Sequence, residues 1–151
     1  MIGAPGHVLI VEDNRLVAAV FKAMLRDLGF FVSVRSGLHD GLISLHRHTY
    51  DVVAADLALR EGGEAGLALA LEARAMRSDT RIILMSGHPM PDGLHPRIAF
   101  LAKPFTTGDV LGAIGHRPTP GPLRRPGWSE RIYADMISPQ IQAMPPPAAR
   151  T

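Results

Sequence analysis

The chain contains no cysteine, which excludes a disulfide framework and any thiolate metal site. No apolar run approaches the roughly 18 residues that would cross a bilayer. The first such run, His7-Val8-Leu9-Ile10-Val11, gives way too quickly to acids to be a signal peptide. A cytoplasmic protein without membrane association is therefore expected. Charge of one sign is scarce as well. The formal net charge is +2, and with no dense basic run in the patterned region the charge balance gives no reason to expect direct DNA binding. Aromatics make up only 5% of the chain, yet 46% apolar residues over 151 positions suffice for one domain with a genuine core.

What the chain does have is acid at the ends of apolar runs. The His7–Val11 run stops at Glu12-Asp13, and a second, Tyr50-Asp51-Val52-Val53-Ala54-Ala55, stops at Asp56. If both are buried parallel strands, three carboxylates gather at one edge of the sheet. Like charges a few ångströms apart raise each other's pKa, so such a cluster calls for a cation and reads as a hard-metal site with one oxygen nucleophile to spare. A third run, Arg81-Ile82-Ile83-Leu84-Met85, ends at Ser86-Gly87, and a fourth, Ile98-Ala99-Phe100-Leu101, leads into Lys103-Pro104-Phe105. Acids, hydroxyl and lysine together are what phosphoryl transfer to an aspartate needs.

As a set, these residues resemble the receiver domains of two-component response regulators, over roughly Val8 to Gly115. The resemblance implies that Asp56 is the phosphoacceptor and that Glu12 and Asp13 are the acidic pair binding Mg²⁺ or another divalent cation, with Asp56 and the Ala58 main-chain carbonyl as further ligands. It implies that Ser86 is the switch hydroxyl, Lys103 the phosphate-contacting lysine and Phe100 the aromatic switch position. Pro104 fits a cis peptide after that lysine, proline being the residue for which a cis bond is cheap. The activity implied is that of a signalling phosphoacceptor that assists its own Mg²⁺-dependent phosphotransfer and dephosphorylation. A histidine kinase or phosphotransfer protein would be the donor, and a protein target the receiver of the signal.

The order of elements agrees. Asn14 can cap a helix in which Leu16, Val17, Val20, Phe21, Met24, Leu25 and Leu28 recur at helical spacing, with Gly29 at its C-cap. A strand over Phe30–Val34, a helix near Leu38–Arg47, a helix over Gly66–Arg77 and a last helix from about Thr106 to Gly115 complete the alternation. This is an α/β pattern with helices on both faces of a parallel sheet and ligands beyond the strands' carboxyl ends. The resemblance adds a flavodoxin-like, doubly wound, five-stranded sheet of order 2-1-3-4-5. One departure stands out. Only sixteen residues, 87–102, separate Ser86 from Lys103, and Pro89, Pro91 and Pro96 fall among them. Since proline removes a helix donor and biases its predecessor toward extended geometry, a shortened or irregular fourth helix is expected. The seven histidines read as surface residues, and Gly62-Gly63 as a flexible turn.

Other functions fit less well. A flavodoxin-like nucleotide binder would have to cradle phosphate where Glu12-Asp13 would repel it, and a metal-dependent phosphohydrolase would want a second acid where Ala58 stands. A pseudo-receiver, acting as an interaction module without phosphorylation, would need none of the five chemical positions to be filled. The expected organisation is a receiver domain over 6–116, a Pro/Gly/Arg-rich linker over 117–127 and a short tail over 128–151. In that tail Ser129 could cap a helix with Ile132, Tyr133, Met136 and Ile137 on one face.

Overall fold

The computed structural model describes residues 6–62, 64–90 and 92–115; the linker and tail expected over 117–127 and 128–151 lie outside the described residues. Strand and helix alternate: β1 (His7–Val11), α1 (Arg15–Asp27), β2 (Phe31–Arg35), α2 (Leu38–Arg47), β3 (Val52–Asp56), α3 (Ala65–Met76), β4 (Arg81–Ser86), β5 (Ile98–Ala102) and α4 (Thr107–Ile114). The five strands pair in parallel in the order β2-β1-β3-β4-β5.

Burial on both faces explains why the central strands are almost purely aliphatic. Leu9, Val11, Val53, Ala55, Ile82, Leu84 and Ile98 face a core completed by α2 and α3. Val8, Ile10, Ala54, Ile83, Met85 and Leu101 face the opposite core with Phe21, Leu25 and Val110. Each large aliphatic side chain removed from water contributes about 1.5–3 kcal/mol, so this double-sided burial is the main source of stability. Helix α1 begins as the sequence indicates, the Asn14 side chain accepting the N–H groups of Leu16 and Val17, and Gly29 follows its end at φ 97°.

Three expectations need correction. The apolar residues of α1 do not all face the core: Leu16 is 74% and Val20 47% exposed. At about 100° per residue they sit about 140° and 100° around the axis from Phe21, beyond the stripe that the sheet covers. The histidines are not all at the surface either. His46 is buried at 6% exposure, its Nε2 3.4 Å from Glu72 Oε2 across the α2–α3 contact. The fourth helix is reduced further than expected: among the described residues between β4 and β5 there are only bends and turns, and Leu94 packs against the core in its place.

Candidate functional site

Register builds the site. Val11 pairs with Ala55, so the next residue on each strand, Glu12 and Asp56, emerges at the same edge. Glu12 is 2% and Asp56 5% exposed, and one carboxylate oxygen from each of Glu12, Asp13 and Asp56 lies within 4.8 Å of the others. Lys103, just past β5, reaches across to donate from Nζ to Glu12 Oε1 at 2.5 Å and to stand 3.2 Å from Asp56 Oδ2.

The remaining acceptors are held from the backbone. The Asn14 N–H donates to Glu12 Oε2 at 3.3 Å, and the Ala58 N–H donates to Asp56 Oδ1 at 3.2 Å. Burial, and then the contact with Asp56, push the Glu12 carboxyl from its ordinary 4.5 up to about 7, against the pull of Lys103. For Lys103 itself burial acts downward, but the hydrogen bonds and charges of Glu12 and Asp56 outweigh it and raise its pKa. One cation among three acids thus leaves excess negative charge, in an all-oxygen donor set that suits a hard divalent ion.

Ser86 ends β4 opposite Ala102 and is 1% exposed, its Oγ accepting the His88 N–H at 2.9 Å. The Lys103 N–H donates to the Ser86 carbonyl at 2.8 Å, which ties the lysine to that strand end. Phe100 pairs with Leu84 and is half-buried, on the same side of the sheet as Ser86 because parallel neighbours alternate together. The Lys103–Pro104 peptide is cis.

Several contributors were not apparent in the sequence. Gly66, in the first turn of α3, lies so close to β3 that a Cβ there would stand 1.9 Å from the Asp56 carbonyl oxygen. A glycine beside alanine at a helix start was the available signal, but it does not say what approaches. Glu61, in the loop after Asp56, accepts the Leu38 N–H at 3.0 Å and so caps α2, whose own N-cap, Gly37, has no side chain to do so. The two residues are 23 positions apart, and no local motif announces the pairing.

Residues 8–114 match the response regulator receiver domain family. This chain belongs to that family. It is 31% identical over 110 residues to the Saccharomyces cerevisiae transcription factor SKN7, an alignment covering 69% of this chain and 17% of the relative. To the transcriptional regulatory protein YkoG of Bacillus subtilis it is 27% identical over 117 residues, 72% of this chain and 49% of that one. The receiver domain therefore spans less than half the length of either relative. Among solved structures, a CheY-like receiver domain from Methylobacillus flagellatus superposes with a TM-score of 0.60 at 29% identity, covering 73% of this chain and 98% of the other. Among the described residues no helix of the receiver is long and apolar enough to cross a membrane.

Proposed function

We propose that this receiver domain takes a phosphoryl group on Asp56 from a histidine kinase or phosphotransfer protein in the cytoplasm, and passes the signal on through protein contacts. The observation that carries the reading is the bridging of Glu12 and Asp56 by Lys103 inside a cluster of three carboxylates. The Asp56 carboxylate is fixed at both oxygens, by the Ala58 N–H and by Lys103. Such fixation places a nucleophile for in-line attack without further ordering. An Asp56 oxygen forms the new bond to phosphorus as the donor's P–N bond breaks. Lys103 then moves from carboxylate to phosphoryl oxygens, and the Ser86 hydroxyl turns to the same group. Glu12, Asp13, Asp56 and the Ala58 carbonyl would hold Mg²⁺, which would supply charge neutralisation for the incoming phosphate.

Ser86 can turn only by giving up the His88 N–H. That frees the segment between β4 and β5 on the face where Phe100 lies, and it biases an existing equilibrium rather than building a new surface. Phenylalanine brings no hydroxyl to such a switch, so packing alone would carry it. Residues 6–116 form the receiver in this proposal, with 117–127 as linker and 128–151 as tail.

A second reading, a phosphorylation-independent interaction module, is favoured by the same lysine, which already offsets part of the acidic charge without a metal. Intact-mass measurement after treatment with acetyl phosphate and Mg²⁺ separates the two. The full chain gains one phosphoryl mass and Asp56→Asn gains none, since an amide of nearly equal volume cannot act as nucleophile. A wild-type chain that stays at its unmodified mass would establish the module instead.

A further inference from the structure

β5 is the outermost strand on its side of the sheet, and its sequence, Ile98-Ala99-Phe100-Leu101-Ala102, has neither charge nor proline. The Ile98, Ala99 and Leu101 side chains are buried, so what this edge strand leaves open is its outer row of backbone groups beside the half-buried Phe100 and the exposed Ala102, and folded proteins cover or charge such edges. With only turns among the described residues between β4 and β5, α4 is its one helical neighbour on the chain's C-terminal side. Between β5 and α4 runs a groove of about 510 Å³ lined by Phe100, Ala102, Pro104, Gly108, Asp109 and Gly112 among others. The helix wall is bare: a Cβ on Gly112 would meet nothing within 4 Å, and one on Gly108 only Thr106 Oγ1 at 3.6 Å.

We propose that the chain's own segment 128–137 seats in this groove and covers the edge. Three observations select this occupant. The chain leaves α4 at Gly115, within one short helix length of the groove. Residues 116–127 between them, rich in proline and glycine, can span about 35–40 Å when extended, and the groove lining itself reaches Gly112 and Ala113, near that exit point. The segment itself, Trp128-Ser129-Glu130-Arg131-Ile132-Tyr133-Ala134-Asp135-Met136-Ile137, brings apolar residues at helical spacing to a chain that is elsewhere poor in aromatics.

Tethering also decides between this segment and a second copy. A short linker holds its cargo at an effective concentration in the millimolar range, so a contact too weak to pair separate molecules is still populated within one. The proposal is independent of phosphorylation.

Trp128 is the chain's only tryptophan, so its fluorescence in the unmodified full chain reports the docking directly. Emission is blue-shifted relative to free tryptophan and poorly quenched by iodide, without change on dilution, in a protein whose light-scattering mass is monomeric. Gly112→Arg, which fills the groove from a helix position with open space and raises helix propensity, shifts emission to the red with circular dichroism unchanged. Ile132→Asp does the same from the other side, so the result does not depend on one variant. Solvent-like emission in the unmodified chain would overturn the proposal. So would burial that appears only with a doubled mass, which would assign the groove to a second copy, or burial indifferent to Gly112→Arg.

Discussion

The two edges of the sheet are built differently. β2, Phe31-Val32-Ser33-Val34-Arg35, carries polar residues in its second half, its Ser33 hydroxyl 2.8 Å from the ring nitrogen Nε2 of His7, and although α1 and α2 pack on its two sides it is only half-buried, with Phe31 65% exposed. β5 is apolar throughout, with Ile98, Ala99 and Leu101 buried, and among the described residues the helix packed closely on it is α4. Between them the ends of β1 and β3 hold the acids at closest packing, with α3 pressed onto the Asp56 backbone. The acidic end of the sheet is thus over-determined, while the β5 edge is closely packed by a helix on one face. The packing around the acidic strand ends and the surface beside β5 can therefore vary separately.

The sharpest test of that contrast is Gly66→Ala. Its methyl would stand 1.9 Å from a backbone carbonyl rather than from a yielding side chain, so α3 must move off β3. Overpacking typically costs about 1–3 kcal/mol, and an immovable partner puts this case at about 3 kcal/mol or more. Urea unfolding should show the loss in the midpoint. A cost below about 1 kcal/mol would mean that the tight end is not tight.

The acids predict a pH dependence of opposite sign to the usual carboxylate. Glu12 is raised in the fold from 4.5 to about 7, so the native state binds the extra proton in that window. The stability it contributes is complete below pH 4.5 and is lost as pH rises to about 7. His7, lowered from 6.5 chiefly by burial, contributes a slope of the other sign below 6.5, which makes the comparison with Glu12→Gln the informative one. Melting temperatures of the metal-free wild type should fall relative to the variant between pH 4.5 and 7. Added Mg²⁺ should remove the difference above that range, and parallel curves would rule out strain among the acids.

Much of this end was legible in the sequence, because apolar runs ending in Glu12-Asp13, Asp56, Ser86 and Lys103 state both the strand and what stands at its end. The prolines at 89, 91 and 96 announced the weak fourth helix. Long-range approaches were not legible. Nothing near His46 in the sequence says that Glu72 will lie 3.4 Å away, and helical periodicity overstated the buried stripe of α1 by including Leu16 and Val20, because spacing alone does not tell how wide a stripe the sheet covers.

Glu61 allows a smaller test of how far the tight region extends. Its carboxylate caps α2 from the loop after Asp56, and loss of a cap costs about 0.5–2 kcal/mol. Glu61→Ala should therefore lower stability by about 1 kcal/mol. If the loop is held by this contact, the variant should also weaken Mg²⁺ binding measured by calorimetry on the folded protein. A stability loss with unchanged Mg²⁺ affinity would confine Glu61 to capping.

The smallest effect is expected at the β5 edge. Replacing a helical glycine by alanine gains about 0.5–1 kcal/mol where the methyl has room, and a Cβ on Gly112 has nothing within 4 Å among the described residues. Set against Gly66→Ala, the same one-methyl change should thus reverse sign across the molecule. The gain should also depend on what covers the groove. With the tail seated against α4, a methyl at 112 holds it off and part of the gain disappears; with the tail released by Ile132→Asp, the full gain returns. Contacting residues show such coupling in a double-mutant cycle, whereas sites without shared partners add to within about 0.5 kcal/mol. Strict additivity of Gly112→Ala and Ile132→Asp in denaturant unfolding would separate the two positions and leave β5 uncovered by the chain's own tail.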